Sequence, residues 1–188
     1  MMNKWIVSVF AVIAAMAFSL TAAPSAVAQQ SQPFQASLTP ELAVHSRDVM
    51  IKGFSINLWG ENPQSGLALG IANGSTGQST GFSWGLLLNY ADSYKGVHWA
   101  AVNYTQQDFL GWQSGFINYT DQRFKGVQTG WVNYARHFKG VQLGLVNFAE
   151  TAETGLQLGI VNVITENRWF QDFPDSVAPG MVLVNWRF

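Results

Sequence analysis

The sequence predicts an all-β protein, a small antiparallel transmembrane β-barrel of eight to ten strands. Three observations carry that expectation: a repeat of about 15 residues, uncharged spans long enough to cross hydrocarbon, and a closing strand with one apolar face. The alternative compatible with the same repeat is a parallel β-solenoid, in which each repeat forms one coil and identical residues stack as ladders.

The first element stands apart from that fold. Lys4 gives a short positive region, Trp5 to Ala23 is apolar with small polar interruptions, and Ala26-Val27-Ala28 fits a small-x-small cleavage site. Residues 1–28 are therefore expected to be a secretory signal peptide, leaving 160 residues for one domain with a core. Without Lys4, nine basic side chains face eleven acidic ones, a net charge near −2. That balance offers no basic patch for nucleic acid. Cysteine is absent, which excludes disulfides, thiolate metal ligands and a thiol nucleophile. Residues 29–48, rich in Gln and Ser with Pro33 and Pro40, read as a flexible polar extension or plug.

The repeat-built region is assigned to 49–188. Its copies begin at Gly66, Gly81, Gly96, Gly111, Gly126, Gly140 and Gly155, at intervals of 15 residues with a single 14. The best-matched pair reads GVQTGWVNY and GVQLGLVNF. GFSINLWGEN from Gly53 and GMVLVNWRF from Gly180 look like degenerate end copies. The first nine residues of every copy lack Asp, Glu, Lys and Arg, and the charge falls in the joins: Asp92, Lys95, Asp108, Asp121, Arg123, Lys125, Arg136, Lys139, Glu150 and Glu153. Spans rich in Val, Ile, Trp, Phe and Tyr suit strands, and short polar joins suit turns. A helix is disfavoured, because Gly opens each copy and returns at its fifth position in six of seven.

Alternation sorts two faces. Val141, Leu143 and Leu145 share one side, and Gln142, Gly144 and Val146 the other. The bulky side decides between the two architectures at this stage. A 15-residue coil encloses little space, yet Trp84, Trp99, Trp112, Phe116 and Trp131 need an environment, and lipid accepts them without a packing limit. In antiparallel neighbours, the Asn-aromatic pairs Asn89-Tyr90, Asn103-Tyr104, Asn118-Tyr119, Asn133-Tyr134 and Asn147-Phe148 would alternate between the two rims of a barrel, where polar-tipped aromatics belong. In a solenoid, Asn73, Asn103, Asn118, Asn133, Asn147 and Asn162 would form a single ladder. Gln113, Gln128, Gln142 and Gln157 would pack a polar core or line a thin passage, and a sealed interior is expected.

The longest join, Ile164 to Pro179, holds Glu166, Arg168, Asp172, Asp175 and two prolines, with Trp169, Phe170 and Phe173 available to enter an interface. It is expected to be either an outward-facing segment for an envelope partner or a local cap. The final strand GMVLVNWRF resembles the C-terminal signal by which bacterial outer-membrane barrels are recognised for insertion, with an ordinary last strand as the alternative. Location at the outer membrane of a Gram-negative-type bacterium, with membrane lipid as the partner, follows from that reading.

GVQLGLVNFA and GLQLGIVNV resemble the repeats of bacterial surface-repeat proteins, which run Gly-Leu-Gln-Leu-Gly-Leu-Val-Asn-x-Ala. The resemblance covers roughly Gly66 to Val163 and is closest from Gly111 onward. It implies an exported, cell-surface product and supplies no catalytic residues. Ala68, Ser83 and His98 stand where the family carries Gln.

Chemistry is sparse. Small barrels of the outer membrane include lipid A-modifying enzymes, whose hydrolytic members need a Ser activated by a His and an orienting acid. His98 with Ser83 is the one candidate pair, and no strand carboxylate accompanies it. His137 reads as a solvated turn residue, and His45 lies outside the repeats. These three histidines are too scattered to suggest a metal site. The glycines lie within strands and do not form phosphate loops. No cofactor is expected, and a structural, adhesive or envelope-interaction role is expected over enzymatic activity.

Overall fold

The computed structural model describes residues 31–188; the expected signal peptide lies outside them. The described chain is all β: β1 (Ser31–Ser37), β2 (Met50–Glu61), β3 (Gln64–Trp99), β4 (Val102–Thr105), β5 (Asp108–Ser114), β6 (Ile117–Thr129), β7 (Val132–Leu143), β8 (Val146–Ile164) and β9 (Gly180–Arg187). Successive coils pair parallel and in register, so Asn103, Asn118, Asn133 and Asn147 lie directly over one another, as do Gln113, Gln128, Gln142 and Gln157. The architecture is a parallel β-solenoid. The antiparallel barrel expected above is thereby corrected, since only β9 runs antiparallel to its neighbour β8.

The interior explains why 15 residues suffice for a coil. The four central turns send in an aromatic from the join (Tyr94, Phe109, Phe124, Phe138), and the coils send in a Gln or its substitute, an Asn, and a small residue such as Thr120, Ala135 or Ala149. The aromatic rings stack, with Phe109 and Phe124 centred 5.6 Å apart and tilted by 8°. Beside them the side-chain amides form two ladders. Asn118 donates to Asn133 Oδ1 at 2.8 Å and to the Thr129 carbonyl at 2.9 Å, using both of its N–H groups. Gln142 donates to Gln128 Oε1 at 2.7 Å, and Gln157 to Gln142 Oε1 at 2.7 Å. Buried amides are tolerable only when so paired, and a stack of identical residues supplies the partner automatically.

The ladders have opposite polarity. Asn donates towards the C-terminal coil and Gln towards the N-terminal coil, so the two rows of aligned amide dipoles oppose each other. Glycines, two in most coils, keep the turns in contact. A Cβ on Gly126, at φ +138°, would collide with the Gly111 carbonyl oxygen, and one on Gly130 with that of Gly115.

A bend at Gly130-Trp131 and its equivalents corrects the simple alternation. Val141, Leu143 and Leu145 do face outward and Gln142 inward, as expected. Beyond the bend the parity changes, so Val146 also turns outward and Asn147 points in. The Asn-aromatic pairs consequently lie along one side of the stack and do not alternate between rims: Tyr119 and Tyr134 stack at 4.5 Å, and Tyr134 and Phe148 at 5.6 Å.

Both ends are covered. Part of the segment expected to be a flexible extension is β1, parallel to β2. The following residues fold back through Val44, whose N–H reaches the Ala36 carbonyl. At the other end, the 164–179 segment buries Val177 and Ala178 and bridges Ser176 to Arg187, while β9 closes the stack with reversed direction. The expected closing strand is thus an end cap, a common way for a repeat array to terminate.

Candidate functional site

His98 and Ser83 occupy the same inward row in neighbouring coils, as the spacing predicts. Ser83 Oγ is committed to Asn89 Oδ1 at 2.9 Å. His98 is fully buried, with its ring 4.0 Å from that of Tyr94 and 5.1 Å from that of Phe109. Neither ring nitrogen has a hydrogen-bond partner. Burial lowers its pKa from 6.5 to about 3, keeping the imidazole neutral. Ser83 Oγ is thus engaged by an amide oxygen and the His98 imidazole is sealed from solvent, so the two are not arranged as a nucleophile bonded to its base. His137 lies in the join, its Nδ1 2.8 Å from Thr151 Oγ1. His45 contributes backbone groups to Gln35. Among the described residues, no three His, Asp or Glu side chains gather to hold a metal.

The charged side of the coil carries a furrow of about 790 Å³ whose walls include Lys95, Asp108, Arg123, His137 and Glu153. Its floor is the aromatic row, and those rings are almost wholly buried. Its charges are largely spent on one another: Arg123 meets Asp108 at 2.5 Å, and Lys139 meets Glu153 at 2.5 Å. Hydrogen bonding to Arg123 holds Asp108 below its usual range, and bonding to Lys139 does the same to Glu153.

The remaining circumference is different in kind. Between the glycine that opens each coil and the Tyr row, the outward positions form apolar ladders. Phe116, Trp131, Leu145 and Ile160 follow one another at the bend and are 54%, 60%, 48% and 61% exposed. Alongside run Trp112, Val127, Val141 and Leu156, and across the bend Ile117, Val132, Val146 and Val161. At the C-terminal end β9 extends this side, placing Trp186 beside Leu156 and Val184 beside Leu158. The bulky face identified in the sequence is thus on the outside. What sequence reasoning missed is that it wraps the bend; the Val row beyond Gly130, unexplained by strict alternation, was the available sign.

No known protein family, curated protein or solved structure matches this chain.

Proposed function

We propose that this chain is an exported β-solenoid repeat protein of structural or envelope-interaction type, which acts by docking through its uncharged outer side. One observation carries the reading: apolar ladders run from coil to coil over nearly half of the circumference, with single residues such as Trp131 60% exposed. Soluble monomers rarely leave contiguous apolar surface of more than a few hundred Å² facing water. Signal-peptide-like residues 1–28 and the resemblance of GVQLGLVNFA to surface-repeat proteins support delivery to the envelope of a Gram-negative-type bacterium, at its outer membrane. The 164–179 segment, with Trp169, Phe170 and Phe173 exposed, offers a second contact for an envelope partner. No catalytic role is assigned to His98 or Ser83.

Fractionation of bacteria producing the full chain tests this. A mature product starting near Gln29 should sediment with envelopes, and Trp131→Glu combined with Leu145→Glu should shift it to the soluble exported fraction. Retention in the cytoplasm, or envelope association indifferent to the two substitutions, would refute the reading.

A further inference from the structure

The two margins of the apolar side are unlike, and the difference points to what covers it. The position just before each coil-opening glycine forms a row: Lys52, Ser65, Thr80, Lys95, Leu110, Lys125, Lys139 and Thr154. It contains four lysines and no carboxylate. Lys52, Lys95 and Lys125 are exposed and make no ion pair among the described residues; Lys139 alone has a partner, Glu153.

The opposite margin is the tyrosine row. Its hydroxyls turn to carboxylates: Tyr90 donates to Glu61 at 2.6 Å, and Tyr134 to Glu150 at 2.6 Å. Those acids are also met by arginine, Arg47 on Glu61 at 2.6 Å and Arg136 on Glu150 at 3.6 Å.

We infer that the apolar side lies on an anionic phospholipid surface, with the lysine row reaching the headgroup phosphates. The inference rests on the docking reading above and names its partner. An apolar face bordered by lysines on one flank and by polar-tipped aromatics on the other is the arrangement of a segment lying in the membrane interface plane. Side chains of uneven size, Trp131 beside Leu145 and Phe116, are accommodated by fluid acyl chains without a matching template. The backbone presents little cost between the ends of the stack, because there each strand pairs with a coil on both sides and offers hydrocarbon no open edge. Its length, seven steps of about 4.8 Å, is roughly 35 Å. The acids beyond the tyrosines keep that margin shallower, so the solenoid rests tilted onto its lysine edge. A second copy fits less well. Its lysine margin would have to meet either another lysine margin or acids already engaged by Arg47, Arg136 and tyrosine.

The test uses the mature chain with vesicles of phosphatidylcholine alone or containing phosphatidylglycerol, read by co-sedimentation and by quenching of tryptophan with brominated acyl chains. Binding should be strong with phosphatidylglycerol, weaken with salt, and quench the tryptophans. Lys95→Glu combined with Lys125→Glu should lower affinity at least about tenfold. Trp131→Glu should abolish quenching; both variants alter exposed positions, and unchanged far-ultraviolet circular dichroism checks that they fold. Equal binding to both vesicle types, or binding unaffected by either variant, overturns the inference. A lipid-free dimer with shielded tryptophans that ignores vesicles overturns it too, while leaving the docking reading standing with a second copy as occupant. A monomer with water-exposed tryptophans that binds no vesicle defeats both.

Discussion

The two ends of one interior row behave differently. From Gln113 to Gln157 the row is an unbroken amide ladder, each Gln donating to the one before it. In the N-terminal coils the same row holds Ser55, Ala68, Ser83 and His98, and the ladder stops: Gln113 turns its N–H to Thr105 Oγ1 at 3.1 Å. The Asn row, by contrast, continues through both regions from Asn57 to Asn162. The solenoid therefore needs one continuous amide ladder at the bend and tolerates replacement of the other. Asn holds the bend itself, through its second N–H to the carbonyl at the far end of its own strand, such as Leu143 for Asn133 in β7. In the N-terminal coils the Gln row gives way to Ser, Ala and His side chains.

Substitutions in the continuous row should have the largest effect. Asn133→Ala strands the donor of Asn118 and the acceptor of Asn147, and takes from the Leu143 carbonyl one of its two donors, leaving it the Gly130 N–H. Leaving such buried groups unmet costs about 1–3 kcal/mol each, so a loss of about 3–5 kcal/mol is expected from urea unfolding. A loss under about 1 kcal/mol would mean that the bend does not depend on the ladder.

Gln128→Ala comes next, with an expected loss of about 2–4 kcal/mol. It removes the acceptor for Gln142 and a donor to Gln113, but Gln142 retains the Phe148 carbonyl and Gln113 retains Thr120. In the other region Ser83→Ala removes one bond to an amide oxygen that Asn73 also reaches, and about 1 kcal/mol is expected. Equal effects of these two substitutions would erase the distinction between the regions.

The comparison also marks how much the sequence could reveal. The 15-residue period, the strand assignment, the outward Val141-Leu143-Leu145 face and the amide-packed interior were readable, because side-chain alternation and identical residues at a fixed spacing depend on local chain geometry. The sense of pairing was not. A 15-residue unit reads the same whether neighbours run parallel or antiparallel, and the Asn-aromatic pairs suit a barrel rim as well as a ladder. The tryptophans do not separate the two architectures either, because a solenoid also leaves them outside once Gln, Asn and Phe have filled the coil. The Ser83 and His98 pairing was legible as adjacency in one row. The bond from Ser83 to Asn89 was not, since it depends on the bend that changes parity.

The aromatic row sharpens the contrast further. Tyr94 occupies the N-terminal end of the stack completed by Phe109, Phe124 and Phe138, and its hydroxyl is buried without a partner. Burial alone raises its pKa, consistent with a neutral phenol sealed from water. Tyr94→Phe removes that unmet group while keeping the ring, so a gain of about 1 kcal/mol is expected in urea midpoints at unchanged m. A clear loss would show that the hydroxyl has a partner, such as bound water.

A modest gain at neutral pH should also come from continuing the Gln row into the irregular region. His98→Gln places an amide where Gln113 can donate to it, and where its own N–H can reach the Tyr104 carbonyl, as Gln128 reaches that of Tyr134 at 3.2 Å. Two new bonds replacing two unmet ring nitrogens should add about 1–2 kcal/mol at pH 7.5. Acidification then separates the two chains. His98 in the fold resists protonation down to about pH 3, whereas in the unfolded chain it takes up a proton near 6.5. Between those values the unfolded state binds more protons, so the original chain loses stability as pH falls, at up to about 1.4 kcal/mol per unit; above 6.5 the contribution is flat. Gln at 98 has no such proton to gain. Urea midpoints at pH 7.5, 5.5 and 4.5 should therefore show a gap between the two chains that widens with acid, and a constant gap would mean that the imidazole is reached by water or paired in the folded state.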